Sequence, residues 1–289
     1  MKIPIIHIRL QNLFLLIMSM IGIMVLIRPV SSIVVSVMLG AVLGASSVMV
    51  FFIFRYGVYI TIHKFYIGNE LYRVIDHILP LDMHSNKRII VQWDESVFHS
   101  AVFTNRHDTW AFFDTVRILL QKNPLKNFRR SLLIGAAGGS VAYTLAHDYA
   151  TVHVDAIDIS PEMKKVATTY FLKNRFSDQI TYMIAEGSAY TASTKQTYDF
   201  IFVDGFTKNV ISKELTSVSF IKSLKKIMNP HGLVFINFGF SNTYSIAETC
   251  QKYARVFPNL QLYTNRGSIF GVVYYKKIHG CPLMHIQGK

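Results

Sequence analysis

The chain has 289 residues, 51% of them apolar and 16% charged, with a formal net charge of +13. That length excludes a small fold dependent on disulfide or metal staples, since a domain takes ~100 to 200 residues, and the two cysteines, Cys250 and Cys281, fall in no Cys-x-x-Cys pattern. A disulfide framework and a metal site are therefore not expected, and the cysteine usage fits a reducing compartment. The basic balance suits an anionic membrane leaflet, where each basic residue contributes about 1 kcal/mol. No nucleic-acid-binding motif accompanies it, so nucleic acid is not an expected partner.

In chain order, the first elements are two uncharged runs, Leu10 to Ile27 and Val30 to Phe54. Each approaches or exceeds the ~20 apolar residues that cross a bilayer as a helix. They predict a transmembrane hairpin within residues 1–55 that turns at Arg28-Pro29 and meets the lipid bilayer through residues 10–54. A cleaved signal peptide behind Lys2 and Arg9 is the competing interpretation, but no small-x-small cleavage site follows Ile27. Gln11 and Asn12 shorten the first run, which leaves a shallow placement open. Gly40 and Gly44 have the spacing that lets helix backbones approach closely, or are simply lipid-facing; a homodimer stays open. Basic residues flank both ends of the hairpin, so the expectation is a multi-pass protein of an inner or plasma membrane with its soluble part in the cytoplasm.

Residues 56–123 form the second unit. Aromatic and basic residues interleave in Arg55-Tyr56 and Lys64-Phe65-Tyr66, as in a segment lying along headgroups; a solvated connecting helix reads the same way. Arg88 to Gln92 and Ser100 to Phe103 are β-like runs of a small antiparallel unit. The third unit, residues 124–289, alternates β-like and helical stretches, which predicts an α/β, Rossmann-like, doubly wound parallel sheet. Its strands are expected at 132–134, 153–157, 180–185, 200–204, 233–237, 260–263 and 270–275, and its helices at 141–148, 161–173, 215–228 and 243–256. The second helix opens on Ser160-Pro161-Glu162, a cap residue, a first-turn proline and an acid.

The chemistry concentrates where strands end. Gly135-Ala136-Ala137-Gly138-Gly139 lies between a strand and a helix N-terminus, so its small residues let backbone approach a ligand. It is not the dinucleotide fingerprint, because Ala137 takes the place of the second glycine. The readings are a nucleoside cradle or a ligand-free tight turn. Asp158 ends the next strand about twenty residues on, where an acid accepts hydrogen bonds from ribose hydroxyls; it can instead cap the helix at Pro161. Glu186-Gly187 ends the third strand, where a carboxylate can accept from an adenine amine, and Asp204-Gly205 ends the fourth. Three acids thus stand on successive strand ends, at the edge where open α/β sheets bind ligands.

These residues resemble the spermidine synthase-like branch of the S-adenosylmethionine-dependent methyltransferase fold. Between about Glu95 and Gly239, Glu95-Ser-Val-Phe-His99 is similar to the family's Glu-Ser-x-Tyr-Gln, and His107 to Asp114 to its Arg-Asp-Glu-Phe-x-Tyr-His-Glu. Leu133 to Ser140 resembles the Val-Ile-Gly-Gly-Gly-Asp-Gly-Gly loop. The resemblance implies that Gly135, Ala137, Gly139, Asp158, Glu186, Gly187 and His99 line a site for S-adenosylmethionine or its decarboxylated form. It makes Asp204 the first Asp of the family's Asp-Ser-Ser-Asp motif, which helps to deprotonate an attacking amine.

The departures fall on the acceptor side: Phe112 for a tyrosine, Phe113 for a histidine, Thr207 for the second Asp, and Gly138 for the loop Asp that meets the aminopropyl group. Burying a diamine's charges without carboxylates costs several kcal/mol, so putrescine is a poor acceptor. The leading expectation is a membrane-anchored methyltransferase acting on a small or membrane-associated acceptor, with Asp204 as base. The alternatives are an aminopropyltransferase with an altered amine substrate, or a catalytically inactive binding module.

Overall fold

The computed structural model describes residues 57–92, 98–104, 116–118, 120–121, 125, 128–172, 176, 178–207, 210–240, 244–265 and 268–274, together with 40, 44, 46, 47, 49 and 53. The expected hairpin falls almost wholly outside the described residues, as do the motif positions 95–97 and 107–114.

Residues expected to lie on headgroups or to form a connecting helix are instead strands. β1 (Val58–Ile67), β2 (Glu70–Ile78), β3 (Lys87–Gln92) and β4 (Phe98–Phe103) form an antiparallel sheet in the order β1-β2-β3-β4. The reason lies in the residues: Val-Tyr-Ile-Thr-Ile-His-Lys-Phe-Tyr-Ile is dense in β-branched and aromatic side chains that suit a pleated surface. Ile67 pairs with Glu70 across a tight turn in which Gly68 has φ +58°, a left-handed conformation that costs glycine little. Asp76 and Arg88 face each other across β2 and β3 and join in a two-pronged ion pair at 2.7 and 2.8 Å.

The second sheet has seven strands in the order β12-β13-β11-β8-β5-β6-β7. Its elements are β5 (Arg130–Ile134), α1 (Ser140–Asp148), β6 (His153–Asp158), α2 (Pro161–Val166), β7 (Ile180–Ile184), α3 (Gly187–Ser193) and β8 (Tyr198–Val203). A two-stranded ribbon, β9 (Phe206–Thr207) with β10 (Val210–Ile211), precedes α4 (Val218–Ile227), β11 (Met228–Phe240), α5 (Tyr244–Val256), β12 (Gln261–Asn265) and β13 (Ser268–Tyr274). β5, β6, β7, β8 and β11 run parallel, whereas β13 is antiparallel to both β11 and β12. The sheet is therefore mixed and not all-parallel as expected. Asn265 and Ser268 stand too close in the chain for a crossover, so the last pair has to be a hairpin.

Side chains alternate across this sheet into two cores. Leu133, Phe200, Phe202 and Phe235 pack with α1 on one face, while Leu132, Ile134, Ile201 and Val234 pack with α4 and α5 on the other. Burial on both faces explains the continuous apolar runs. A third cluster joins the sheets: Phe65, Val74, Ile90 and Val102 meet Met163, Val166 and Phe171 on α2 and the π-helical turn after it, Ala167–Leu172. That packing brings β4 onto the glycine loop.

The multi-pass membrane placement is not upheld. Among the described residues no helix is long and apolar enough to cross a membrane.

Candidate functional site

The glycine loop follows β5 at the point where the parallel strands diverge, with β6 on one side and β8 on the other. Gly135 has φ +82°, and a Cβ there would stand 2.5 Å from the Asp204 carbonyl oxygen. Glycine is thus required twice, for conformation and for the close approach of the β8 end. Ala137 also has positive φ, +46°, which costs an L-residue roughly 1–2 kcal/mol. It is held from both sides: its N–H donates to Asp158 Oδ2 at 2.9 Å, and its carbonyl accepts from the Tyr182 hydroxyl at 2.6 Å. These two bonds hold the strained residue in its place.

Asp158, at the end of β6, accepts from the Ser160 N–H through Oδ1 at 3.0 Å. Burial raises its carboxyl above the ordinary range, against the lowering pull of the Ser160, Ala137 and Ile159 N–H groups. Capping of α2 falls to Ser160, whose Oγ accepts from Met163 N at 3.0 Å. Tyr182 stands close by; burial pushes its phenol far up, with the Asp158 charge adding to the effect, so the hydroxyl is a standing donor.

Gly138 and Gly139 lead into α1. The Gly138 N–H donates to Ser100 Oγ at 2.8 Å, and Ser140 Oγ returns the contact by accepting from Ala101 N at 3.1 Å. A Cβ on Gly138 would lie 2.7 Å from Ser100 Cβ and 2.8 Å from Ile90 Cδ1. The space that a side chain would fill at this loop position is therefore taken by β3 and β4. Gly139 has φ +79° and lies against Leu172.

His99, next to Ser100 on β4, stacks edge-on with Tyr72 at 5.2 Å between ring centroids. Burial lowers its pKa and keeps the imidazole neutral. Its Nε2 is buried and has no hydrogen-bond partner among the described residues, an atom that calls for a ligand or water.

At the other strand ends, Glu186 caps α3: its carboxylate accepts from Ser188 N at 2.9 Å, Ala189 N at 2.7 Å and Ser188 Oγ at 2.6 Å. Partial burial works to raise this carboxyl, but those bonds outweigh it and hold it below its ordinary value. An added Cβ on Gly187 would collide with Ile134 at 2.5 Å. Asp204, at the end of β8, accepts from Asn237 Nδ2 at 2.7 Å, while its own N–H donates to Ile134 O at 2.8 Å. Burial pushes its carboxyl up to about 7, despite the lowering bond from Asn237.

The sequence-predicted residues thus converge in part. Gly135 meets Asp204, and Ala137 meets Asp158; Glu186 is occupied by its helix cap, and His99 stands on the neighbouring sheet. Ser100, Tyr182 and Asn237 were not singled out from sequence. A buried Tyr needs a partner for its hydroxyl, and Asn237 ends an expected strand at the same edge as the acids; both are signals that sequence carries. Among the described residues no cluster of His, Cys, Asp and Glu can hold a metal ion.

A doubly wound sheet with a reversed strand second from one edge, a glycine loop after its first strand and acids at the following strand ends defines the class I methyltransferase-like architecture. Within that class, residues 118–266 match the spermine/spermidine synthase domain, just over half of the chain, and the chain belongs to that family. It is 30% identical over 151 residues to a polyamine aminopropyltransferase of Vibrio vulnificus, an overlap of 49% of each protein. The chain spans about half the length of the curated relatives it matches. Its fold is similar to that of a probable spermidine synthase from Corynebacterium glutamicum, with a TM-score of 0.63 at 13% identity over 75% of this chain and 81% of that one. A spermidine synthase in complex with the transition-state analogue AdoDATO gives a TM-score of 0.56 at 16% identity, over 75% of this chain and 74% of that one. These matches, to polyamine aminopropyltransferases, correct the membrane localisation drawn from the apolar N-terminus.

Proposed function

We propose that the chain is an aminopropyltransferase with an altered amine acceptor, using decarboxylated S-adenosylmethionine as donor. The observation that carries this reading is Asp204, whose backbone meets the glycine loop and whose carboxyl is raised by burial to about 7, inside a segment that matches the spermine/spermidine synthase family.

The residues fit such a donor. Gly135, Ala137 and Gly139 bring backbone to the nucleoside, and Asp158 keeps lone pairs for ribose hydroxyls beyond its bonds to Ala137 and Ser160. The adenine amine falls to Glu186, whose cap leaves lone pairs free, and Gly187 keeps that strand end close to β5. His99 offers a neutral imidazole with an unmet Nε2. The donor's sulfonium supplies an activated carbon; the protein supplies in-line placement and a base, and Asp204 takes the proton that an ammonium must lose before it can attack. Because Thr207 stands where the resemblance places the second Asp of the motif, a dicationic acceptor lacks that carboxylate, and a less cationic amine is the expected acceptor.

The absence of a carboxylate at Gly138, whose place β4 fills, favours one second reading, methyl transfer from S-adenosylmethionine, whose chain ammonium carries its own carboxylate beside it. Calorimetric titration of the full chain with both donors tests the proposal. Tighter binding of the decarboxylated form is expected; tighter binding of the carboxylated form favours methyl transfer, and no binding of either by folded protein leaves a non-catalytic module.

A further inference from the structure

We infer that Asn237 is a positioning residue that fixes the Asp204 carboxyl so that Oδ2, and not Oδ1, receives the proton of the acceptor. The inference rests on the reading of Asp204 as the base.

Asn237 lies on β11 where the register against β13 shifts between Asn237 and Gly239. Gly239 has φ +87°, and its N–H donates to Asn237 Oδ1 at 3.0 Å. A backbone N–H can meet only the oxygen of the amide, so the bulge itself settles which end of Asn237 points where. The NH2 end is left to donate to Asp204 Oδ1 at 2.7 Å, from a side chain only 8% exposed. A proton on Oδ1 would confront the Nδ2 hydrogens, so a protonated Asp204 carries its hydrogen on Oδ2. Among the described residues no charged group bears on Asp204: Asn237 from β11 and burial are its influences, while the glycine loop presents only backbone.

The step balances as follows. An acceptor ammonium gives one proton to Oδ2, and the nitrogen lone pair attacks the carbon bonded to the sulfonium. The C–N bond forms as the C–S bond breaks, the bonding pair stays on sulfur as a neutral thioether, and the positive charge passes to the new secondary ammonium. Oδ2 later releases its proton to solvent.

The test is the pH dependence of kcat/KM for the wild type, Asn237→Asp, Asn237→Ser and Asp204→Asn, with calorimetric binding of the decarboxylated donor to each. Asn237→Asp keeps the acceptor for the Gly239 N–H but sets an oxygen against Asp204, and two adjoining carboxyls share a proton. The acid limb of the profile is expected to rise by about one pH unit or more, with donor affinity changed less than about threefold. Asn237→Ser, which also removes the donor, is expected to move the limb in the same direction and serves if Asn237→Asp does not fold. An unmoved limb in folded Asn237 variants, while Asp204→Asn is inactive, overturns the role of Asn237 alone. Full activity of Asp204→Asn overturns the base itself and the inference with it.

Discussion

Asp204→Asn should yield a protein that is more stable and inactive at once, and the two effects should have different pH dependences. Burial raises this carboxyl from its ordinary 3.8 to about 7, so folding favours the protonated form. The stability linked to that preference is fully present below about pH 4 and is lost as the pH rises through about 7. Above that, at 1.36 kcal/mol per pH unit, ionised Asp204 costs the fold about 4 kcal/mol. Asparagine avoids this cost and still accepts from Asn237, but its amide hydrogens need partners at a cost of about 1–3 kcal/mol. The net gain at about pH 8.5 is roughly 1–3 kcal/mol, or several degrees in Tm for a chain of this size. Thermal melts at about pH 5 and pH 8.5 check it: the variant should lead at the higher pH and lose its lead at the lower one. Turnover should fall by about 10²–10⁴ at about pH 8.5, the range for a lost general base, and by less at about pH 5, where the wild-type carboxyl is already largely protonated. A stability difference independent of pH would refute the account of Asp204.

Three further outcomes are expected. Gly135→Ala must hold φ +82° and place a Cβ 2.5 Å from the Asp204 carbonyl oxygen, so urea titration should show a loss of roughly 2–5 kcal/mol; a loss under about 1 kcal/mol contradicts the close approach. Ser100→Ala strands the buried Gly138 N–H, and calorimetry should show donor affinity weakened by about tenfold; unchanged affinity means that β4 does not steady the loop. Asp158→Ala removes the acceptor for Ala137 and Ser160 as well as the proposed ribose contact, and donor binding should fall about a hundredfold or more. Unaltered binding would defeat the assignment.

The doubly wound half was legible because both its faces are covered, which writes strands as unbroken apolar runs such as Leu132-Leu133-Ile134 and separates them by helical stretches. The first sheet was harder to read: in β1 and β2 basic and aromatic residues alternate with apolar ones, a pattern that also suits a membrane surface, and only pairing around Gly68 separates the two. α3 carries no apolar period in Gly-Ser-Ala-Tyr-Thr-Ala-Ser, so its cap, Glu186, was read only as a ligand contact. The reversed β13 depended on a short connection and not on composition. In the site, glycines and strand-end acids stand out by residue type. The bonds from Asn237 to Asp204 and from Gly138 to Ser100 do not, because they join residues 33 and 38 positions apart that only the folded sheets bring together.

The most direct test of the central claim is mass spectrometry of the products formed by the full chain from a panel of mono- and diamines, with decarboxylated S-adenosylmethionine and S-adenosylmethionine supplied separately. The account predicts an aminopropyl adduct of a singly charged amine, formed only from the decarboxylated donor and abolished in Asp204→Asn. A methylated product formed only from S-adenosylmethionine would contradict it.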